Sequence, residues 1–167
     1  TEKITNVKPK IFLKESEIAE AKSILNSYNI DPEKPLIMFG ILGSEHYKTY
    51  PLDGMAKIID FTVAKTNATI LFNYIPNQKE QALEVYNYCS EETKKHIIFD
   101  LYATDLRQFL AILSQCEMLI GNEGGAVNMA KALEIPTFSI FTPSVRKETW
   151  QLFENEAKNA SKALAFF

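Results

Sequence analysis

Ile120-Gly121-Asn122-Glu123-Gly124-Gly125-Ala126-Val127-Asn128-Met129-Ala130-Lys131-Ala132-Leu133-Glu134-Ile135-Pro136 reads as a strand, a glycine turn, a helix and the entry to a second strand. Successive glycines where a strand hands over to a helix allow positive φ and leave no side chain between a ligand and the helix N-terminus. The turn is therefore expected to present the backbone N–H groups of Gly124, Gly125 and Ala126 to an anion. A carboxylate just before it, at Glu123, repels a phosphate unless it serves another part of the same ligand, such as sugar hydroxyls, or pairs with a cation. The combination points to a phosphate-bearing sugar donor. A glycine pair kept only for close helix–strand packing is the competing account, and the turn taken alone does not choose between them.

A second segment shifts the balance. The apolar run Leu36–Phe39 continues into Gly40-Ile41-Leu42-Gly43-Ser44-Glu45-His46-Tyr47-Lys48-Thr49-Tyr50-Pro51, again between an expected strand and an expected helix. It offers a glycine, the Ser44 hydroxyl and the Lys48 ammonium, groups that hold a diphosphate by hydrogen bonds and point charge. A lone loop lysine is usually just solvated. Two strand-to-helix loops of complementary chemistry are harder to dismiss, because in an α/β sheet such loops open on one edge, at the carboxyl ends of the strands.

The remaining chain supplies that sheet. Leu36–Phe39, Thr69–Phe72, Ile97–Phe99, Met118–Ile120 and Thr137–Phe141 are short and apolar on both faces, as buried parallel strands require. Between them, Leu52–Lys65 carries Met55, Ile58, Ile59, Thr62 and Val63 on one stripe, and Asp105–Cys116 carries Leu106, Phe109, Leu110 and Leu113, with Asp105 or Thr104 as cap. Strands alternating with helices of this length predict βαβ units with right-handed crossovers, a doubly wound, Rossmann-like α/β domain. At the amino end, Thr1–Lys14 reads as extended and Ser16–Tyr28 as an amphipathic helix closed by Asn29 and Pro32. Residues 1–34 are taken as a linker and lead-in helix and 35–167 as the ligand-binding domain, with an ordinary first element of the domain as the equal alternative. Thr149–Lys162 is expected to be helical, followed by the apolar tail Ala163-Leu164-Ala165-Phe166-Phe167.

Composition bounds the function. The 167 residues, 46% hydrophobic and 23% charged, suit one folded domain. A net charge of −3 gives no basic field for nucleic acid. Cys89 and Cys116 form no CxxC pair and have no histidine at ligand spacing, so they read as reduced packing residues rather than zinc ligands or a disulfide. No apolar run approaches the ~18 residues of a transmembrane helix. The dinucleotide fingerprint, the P-loop and the hydrolase elbow are absent. A receiver domain fails because the first strand ends in Phe39-Gly40 rather than an acidic pair. His46, in the candidate phosphate loop, and His96, before a strand, lack a nucleophile partner and read as ordinary solvated or structural side chains.

The two loops together resemble the family-nine glycosyltransferases, the lipopolysaccharide heptosyltransferases, whose carboxyl-terminal half carries a G-S-x-x-x-K-x-W-P-like loop and a later D-[ST]-G-x-x-H-x-A-x-A-x-x-x-P. Gly43, Ser44, Lys48, Tyr50 and Pro51 match the first, and Glu123, Gly125, Asn128, Ala130, Ala132 and Pro136 the second, with spacing kept over about Leu36 to Pro143. Four positions depart: the aspartate is Glu123, the Ser or Thr is Gly124, the histidine is Asn128 and the tryptophan is Tyr50.

The resemblance implies the carboxyl-terminal, donor-binding half of a two-domain GT-B enzyme. Its donor would be a nucleotide-diphospho-sugar of the ADP-heptose kind and its acceptor the lipopolysaccharide core. Ser44, Lys48, Gly124, Gly125 and Ala126 would hold the diphosphate, Glu123 and Asn128 the sugar, and Gln78 and Thr104 the nucleoside; the last two are otherwise a helix-start residue and a cap. The catalytic base would lie in an amino-terminal domain outside this chain, so the chain would bind donor and turn over nothing, with no metal or other cofactor. A start at Thr1 agrees with an excised piece. Cytoplasmic placement, peripheral at the inner face of the membrane, follows from the same resemblance. Two alternatives stay open: half of a nucleotide-sugar epimerase, and a non-catalytic binding or scaffold domain.

Overall fold

The computed structural model describes residues 8–141; the expected helix Thr149–Lys162, the apolar tail, Pro143 and Thr1–Val7 lie outside that range. A parallel sheet of five strands runs β1 (Leu36–Gly40), β2 (Thr69–Phe72), β3 (Ile97–Ile98), β4 (Met118–Asn122) and β5 (Thr137–Ile140), in spatial order β3-β2-β1-β4-β5. The helices are α1 (Glu15–Ser27), α2 (Leu52–Thr66), α3 (Lys79–Tyr88), α4 (Glu91–Lys94), α5 (Leu106–Leu113) and α6 (Gly125–Ala132), with 3-10 turns at His46–Lys48 and Pro76–Gln78.

Side-chain alternation splits the interior into two layers. Ile37 and Phe39 of β1, Ile70 and Phe72 of β2 and Ile120 of β4 pack with Met55 and Ile59 of α2 and with Ala82 and Val85 of α3. Met38, Leu71 and Leu119 point the other way, onto Ala21 and Leu25 of α1, Ile112 and Leu113 of α5 and Val127 of α6. Burying a side chain such as Ile59 or Leu119, both 0% exposed, stabilises by about 1.5–3 kcal/mol. The edge strand β5 departs from the two-sided expectation: Phe138 is 40% exposed.

Helix ends follow local chemistry. Asp105, rather than Thr104, caps α5, its Oδ1 accepting from Gln108 N at 2.9 Å. Ser90 caps α4 by accepting from Thr93 N. Left-handed residues end the helices: Asn67 (φ 55°) after α2 and Glu134 (φ 63°) after α6. Helix α1 is tied to α5, since Arg107 Nε and Nη2 donate to the two Glu17 carboxylate oxygens at 2.7 and 2.6 Å and Nη2 also donates to Phe12 O. Upstream of it, Ile11 N donates to Ala132 O.

Strands β1, β2 and β3 step outward with α2 and α3 on one face; the chain then returns through α5, on the other face, to place β4 on the far side of β1. The direction of winding reverses between β1 and β4, so the loops leaving their carboxyl ends diverge and open a crevice, where ligands of such sheets bind.

Candidate functional site

Both motif loops leave that crevice. The β1 loop is closed on itself: Lys48 N donates to Glu45 O at 2.9 Å, Thr49 N to His46 O at 3.0 Å, Gly43 N to Thr49 Oγ1 at 3.1 Å, and Thr49 Oγ1 to Glu45 O at 3.0 Å. Gly43 is needed for close approach, because a Cβ there would lie 2.4 Å from Lys48 O. Ser44 is exposed and Lys48 half-buried, its Nζ 5.5 Å from the Tyr47 ring centroid. His46 is exposed and opens the 3-10 turn.

The other loop corrects one expectation. No glycine among the described residues has a φ in the left-handed region: Gly124 is extended (φ 164°, ψ −162°) and Gly125 begins α6. A turn built without left-handed glycines suffices because Gly124 serves as the extended N-cap of the helix. The packing account of the glycines has no support either. Among the described residues a Cβ on Gly124 meets nothing within 4 Å, and one on Gly125 comes no nearer than 3.9 Å, to Met129 Cε. Among the described residues nothing requires glycine at either position, and a Cβ at each would have room. Asn128 N donates to Gly124 O, which leaves the N–H groups of Gly125, Ala126 and Val127 without intrahelical partners at the positive end of the helix dipole. Glu123 N is engaged with Ile140 O at 3.0 Å, and both Glu123 carboxylate oxygens are shielded from solvent. Asn128 is exposed.

Gln78 and Thr104 lie in the loops after β2 and β3, on the same sheet edge but on the other side of β1 from α6. Each is used in a helix start. Gln78 Oε1 accepts from Ile75 N at 3.2 Å, and the Thr104 N and Oγ1 both donate to Gln108 Oε1. Between their segments a shallow cavity is lined by Asn73, Tyr74, Leu101, Tyr102, Ala103 and Phe109, among others. Tyr74 stacks on Phe99 at 5.4 Å and donates its hydroxyl to Phe99 O; burial, then Asp100, pushes that phenol up to about 12.

Asn122 is the site residue that motif reading passed over. It is 5% exposed, its Nδ2 donates to Gly40 O at 3.1 Å and its Oδ1 accepts from Tyr50 N at 2.7 Å. A polar residue ending the apolar run Met118–Gly121 was the available signal. Gly121 was missed too: a Cβ there would fall 2.4 Å from Gly40 O, so β4 can lie against β1 only with glycine.

Cys89 and Cys116 are buried free thiols, both pushed up to about 12 by burial, which leaves them protonated and unreactive. Among the described residues, no three His, Cys, Asp or Glu side chains assemble as a metal-ligand set, and no helix is long and apolar enough to cross a membrane.

Residues 3–164 match the model of glycosyltransferase family 9 (heptosyltransferase), and the chain belongs to that family. Solved structures that share its fold include the following three. The E. coli ADP-heptose lps heptosyltransferase II superposes with TM-score 0.70 at 19% identity, covering 86% of this chain and 43% of its own. A glycosyl transferase family 9 protein from Veillonella parvula gives 0.68 at 20% identity, covering 82% and 38%. E. coli heptosyltransferase WaaC with ADP-2-deoxy-2-fluoro heptose gives 0.53 at 14%, covering 77% and 38%. The chain therefore spans less than half the length of each. No curated protein matches it in sequence.

Proposed function

We propose that this chain is the donor-binding domain of an inverting glycosyltransferase, holding a nucleotide-diphospho-sugar where β1 and β4 diverge. The observation that supports the reading is the glycine helix start: among the described residues glycine is required there by neither conformation nor packing, which leaves its backbone N–H groups to a ligand's phosphates. Lys48 and Ser44 would face the same diphosphate from the β1 loop, with Glu123 and Asn128 toward the sugar. The nucleoside would lie toward Gln78 and Thr104, its base against the cavity at Tyr74 and Tyr102. Family membership supports sugar transfer, and the ligand in the E. coli WaaC structure favours an ADP-heptose-like donor.

In such a transfer the acceptor hydroxyl gives up its proton to a base and attacks the anomeric carbon from the face opposite the diphosphate. The C–O bond to the diphosphate breaks, and the sugar configuration inverts. This chain's part is the leaving group: Lys48 and the helix N–H groups neutralise the charge growing on the departing nucleoside diphosphate, without a metal ion. The base and the lipopolysaccharide-core acceptor site are assigned to the remaining half of the enzyme, so the chain by itself binds donor and does not turn it over. Chemical-shift mapping with ADP, UDP and GDP tests the reading. Perturbations at Ser44–Lys48 and Glu123–Ala126 are expected, strongest for ADP, and unchanged by a chelator. Shifts confined to the amino-terminal edge of the sheet, or none at millimolar nucleotide, would overturn it.

A further inference from the structure

We propose that Asn122 is a positioning residue that sets the separation between the cationic arm and the anion-binding helix start of the nucleotide site. This rests on the donor-site reading above. The geometry behind it is independent of any ligand. The loop between β1 and α2 leaves the sheet at Gly40 and rejoins the fold at Tyr50, and one side chain grips both ends: Asn122 Nδ2 donates to Gly40 O and Asn122 Oδ1 accepts from Tyr50 N. The orientation of the amide follows from its partners, since a carbonyl can only accept and a backbone N–H can only donate.

Around that grip the loop has little freedom. Its interior is tied by the bonds among Gly43, Glu45, His46, Lys48 and Thr49. Its exit is held on α2, because the Tyr50 ring occupies the space beside Gly54, where a Cβ would come within 2.6 Å of Tyr50 Cε1. Its entry lies against β4, where Gly40 and Gly121 are register partners in close backbone contact. Asn122 is also the last residue of β4, two positions before the N-cap of α6. The amide that closes the Lys48 loop thus belongs to the strand that launches the glycine turn. A diphosphate spanning an ammonium and a row of N–H groups needs those partners at a fixed distance before it binds, and Asn122 provides that fixed distance.

The test combines a double-mutant cycle with hydrogen exchange. ADP affinity is measured by calorimetry for wild type, N122S, K48A and K48A/N122S. Serine is too short to reach both Gly40 O and Tyr50 N. N122S should weaken ADP about tenfold or more, whereas in the K48A background the same change should cost less than about twofold, because the arm it positions is gone. Equal losses in both backgrounds would show that Asn122 supports the fold without positioning Lys48, and would overturn the proposal. Exchange of the Tyr50 and Ser44–Thr49 amides should rise in N122S while the β1 and β4 amides stay protected. N122D, which keeps the side-chain size and the bond from Tyr50 N but cannot donate to Gly40 O as a carboxylate, should give a smaller rise. A wild-type Tyr50 amide that exchanges as fast as exposed loop amides overturns the proposal without any variant. Failure of wild type to bind ADP, UDP and GDP would sink the donor-site reading instead, and the exchange arm would still decide whether Asn122 holds the loop.

Discussion

Replacing Gly125 by valine separates a ligand-binding turn from a packing turn. Were Gly125 in the left-handed region, a β-branched residue would cost about 1–3 kcal/mol in backbone strain, and loss of binding could not be told from loss of fold. The structure removes that ambiguity. Gly125 is the first residue of α6, its added Cβ would be 3.9 Å from the nearest side-chain atom among the described residues, and valine is favoured over glycine in a helix by a few tenths of a kcal/mol. Stability should therefore stay within about 0.5 kcal/mol, a shift of roughly 1–2 °C in melting temperature. Binding should respond differently. A Cα–Cβ bond on a helix tilts toward its N-terminus, which sets the valine methyls over the N–H groups of Gly125 and Ala126. Loss of two hydrogen bonds to a charged diphosphate, at about 1.5–3 kcal/mol each, lowers ADP affinity by on the order of 100-fold or more. Calorimetric titration with ADP beside a thermal scan reads both quantities. Gly124→Ala is the control, since its methyl enters empty space and should keep affinity within about threefold. A Gly125→Val protein that melts normally and binds ADP as wild type does would falsify the donor-site reading. One that fails to fold would refute the open-space argument.

Lys48→Ala removes an ammonium that lies over the exposed Tyr47 ring; ADP binding should weaken by about 1.5–3 kcal/mol while stability falls by no more than about 0.5 kcal/mol, and unchanged affinity on titration would mark Lys48 as a solvated charge. Glu134→Gly should raise stability by roughly 0.5–1 kcal/mol in urea unfolding: it relieves a left-handed Glu at φ 63° and gives up an exposed pair with Lys10; a lower midpoint refutes the strain argument. The Arg107 guanidinium holds the Glu17 carboxyl at about 2 rather than 4.5, so its support of α1 is complete above about pH 4.5 and lost as pH falls toward 2. Glu17→Gln should flatten that stretch of the stability-versus-pH curve, and an unaltered acid limb would show that the Glu17–Arg107 pair does not govern it.

The strands were the most legible elements. The apolar runs mark Thr69–Phe72 to the residue and the other four strands to within two residues at either end; β1, β2 and β4 stand out most because a parallel strand buried on both faces leaves an uninterrupted apolar run. Helices α3 and α4 leave little signal in the sequence. Only Ala82 and Val85 of α3 and Thr93 of α4 are buried, a stripe too narrow to stand out from the polar residues around it. The family was legible in Gly43, Ser44, Lys48, Gly125 and Pro136 because their spacing survives the substitutions at Glu123 and Asn128.

By itself the sequence determined the alternation of strand and helix, the parallel sheet and the two loops that carry the motifs. These follow from the periodicity of neighbouring residues, which acts over one turn or one strand. Only the tertiary structure decided that β4 inserts beside β1, which sets the crevice between the two loops. It decided too that Gly121 is required by contact with Gly40 while nothing among the described residues requires Gly124 or Gly125, and that Asn122 spans the ends of a loop 72 and 82 positions away in the chain. A side-chain hydrogen bond to so distant a partner leaves no mark on the local pattern. It exists only once burial has brought the two strands side by side.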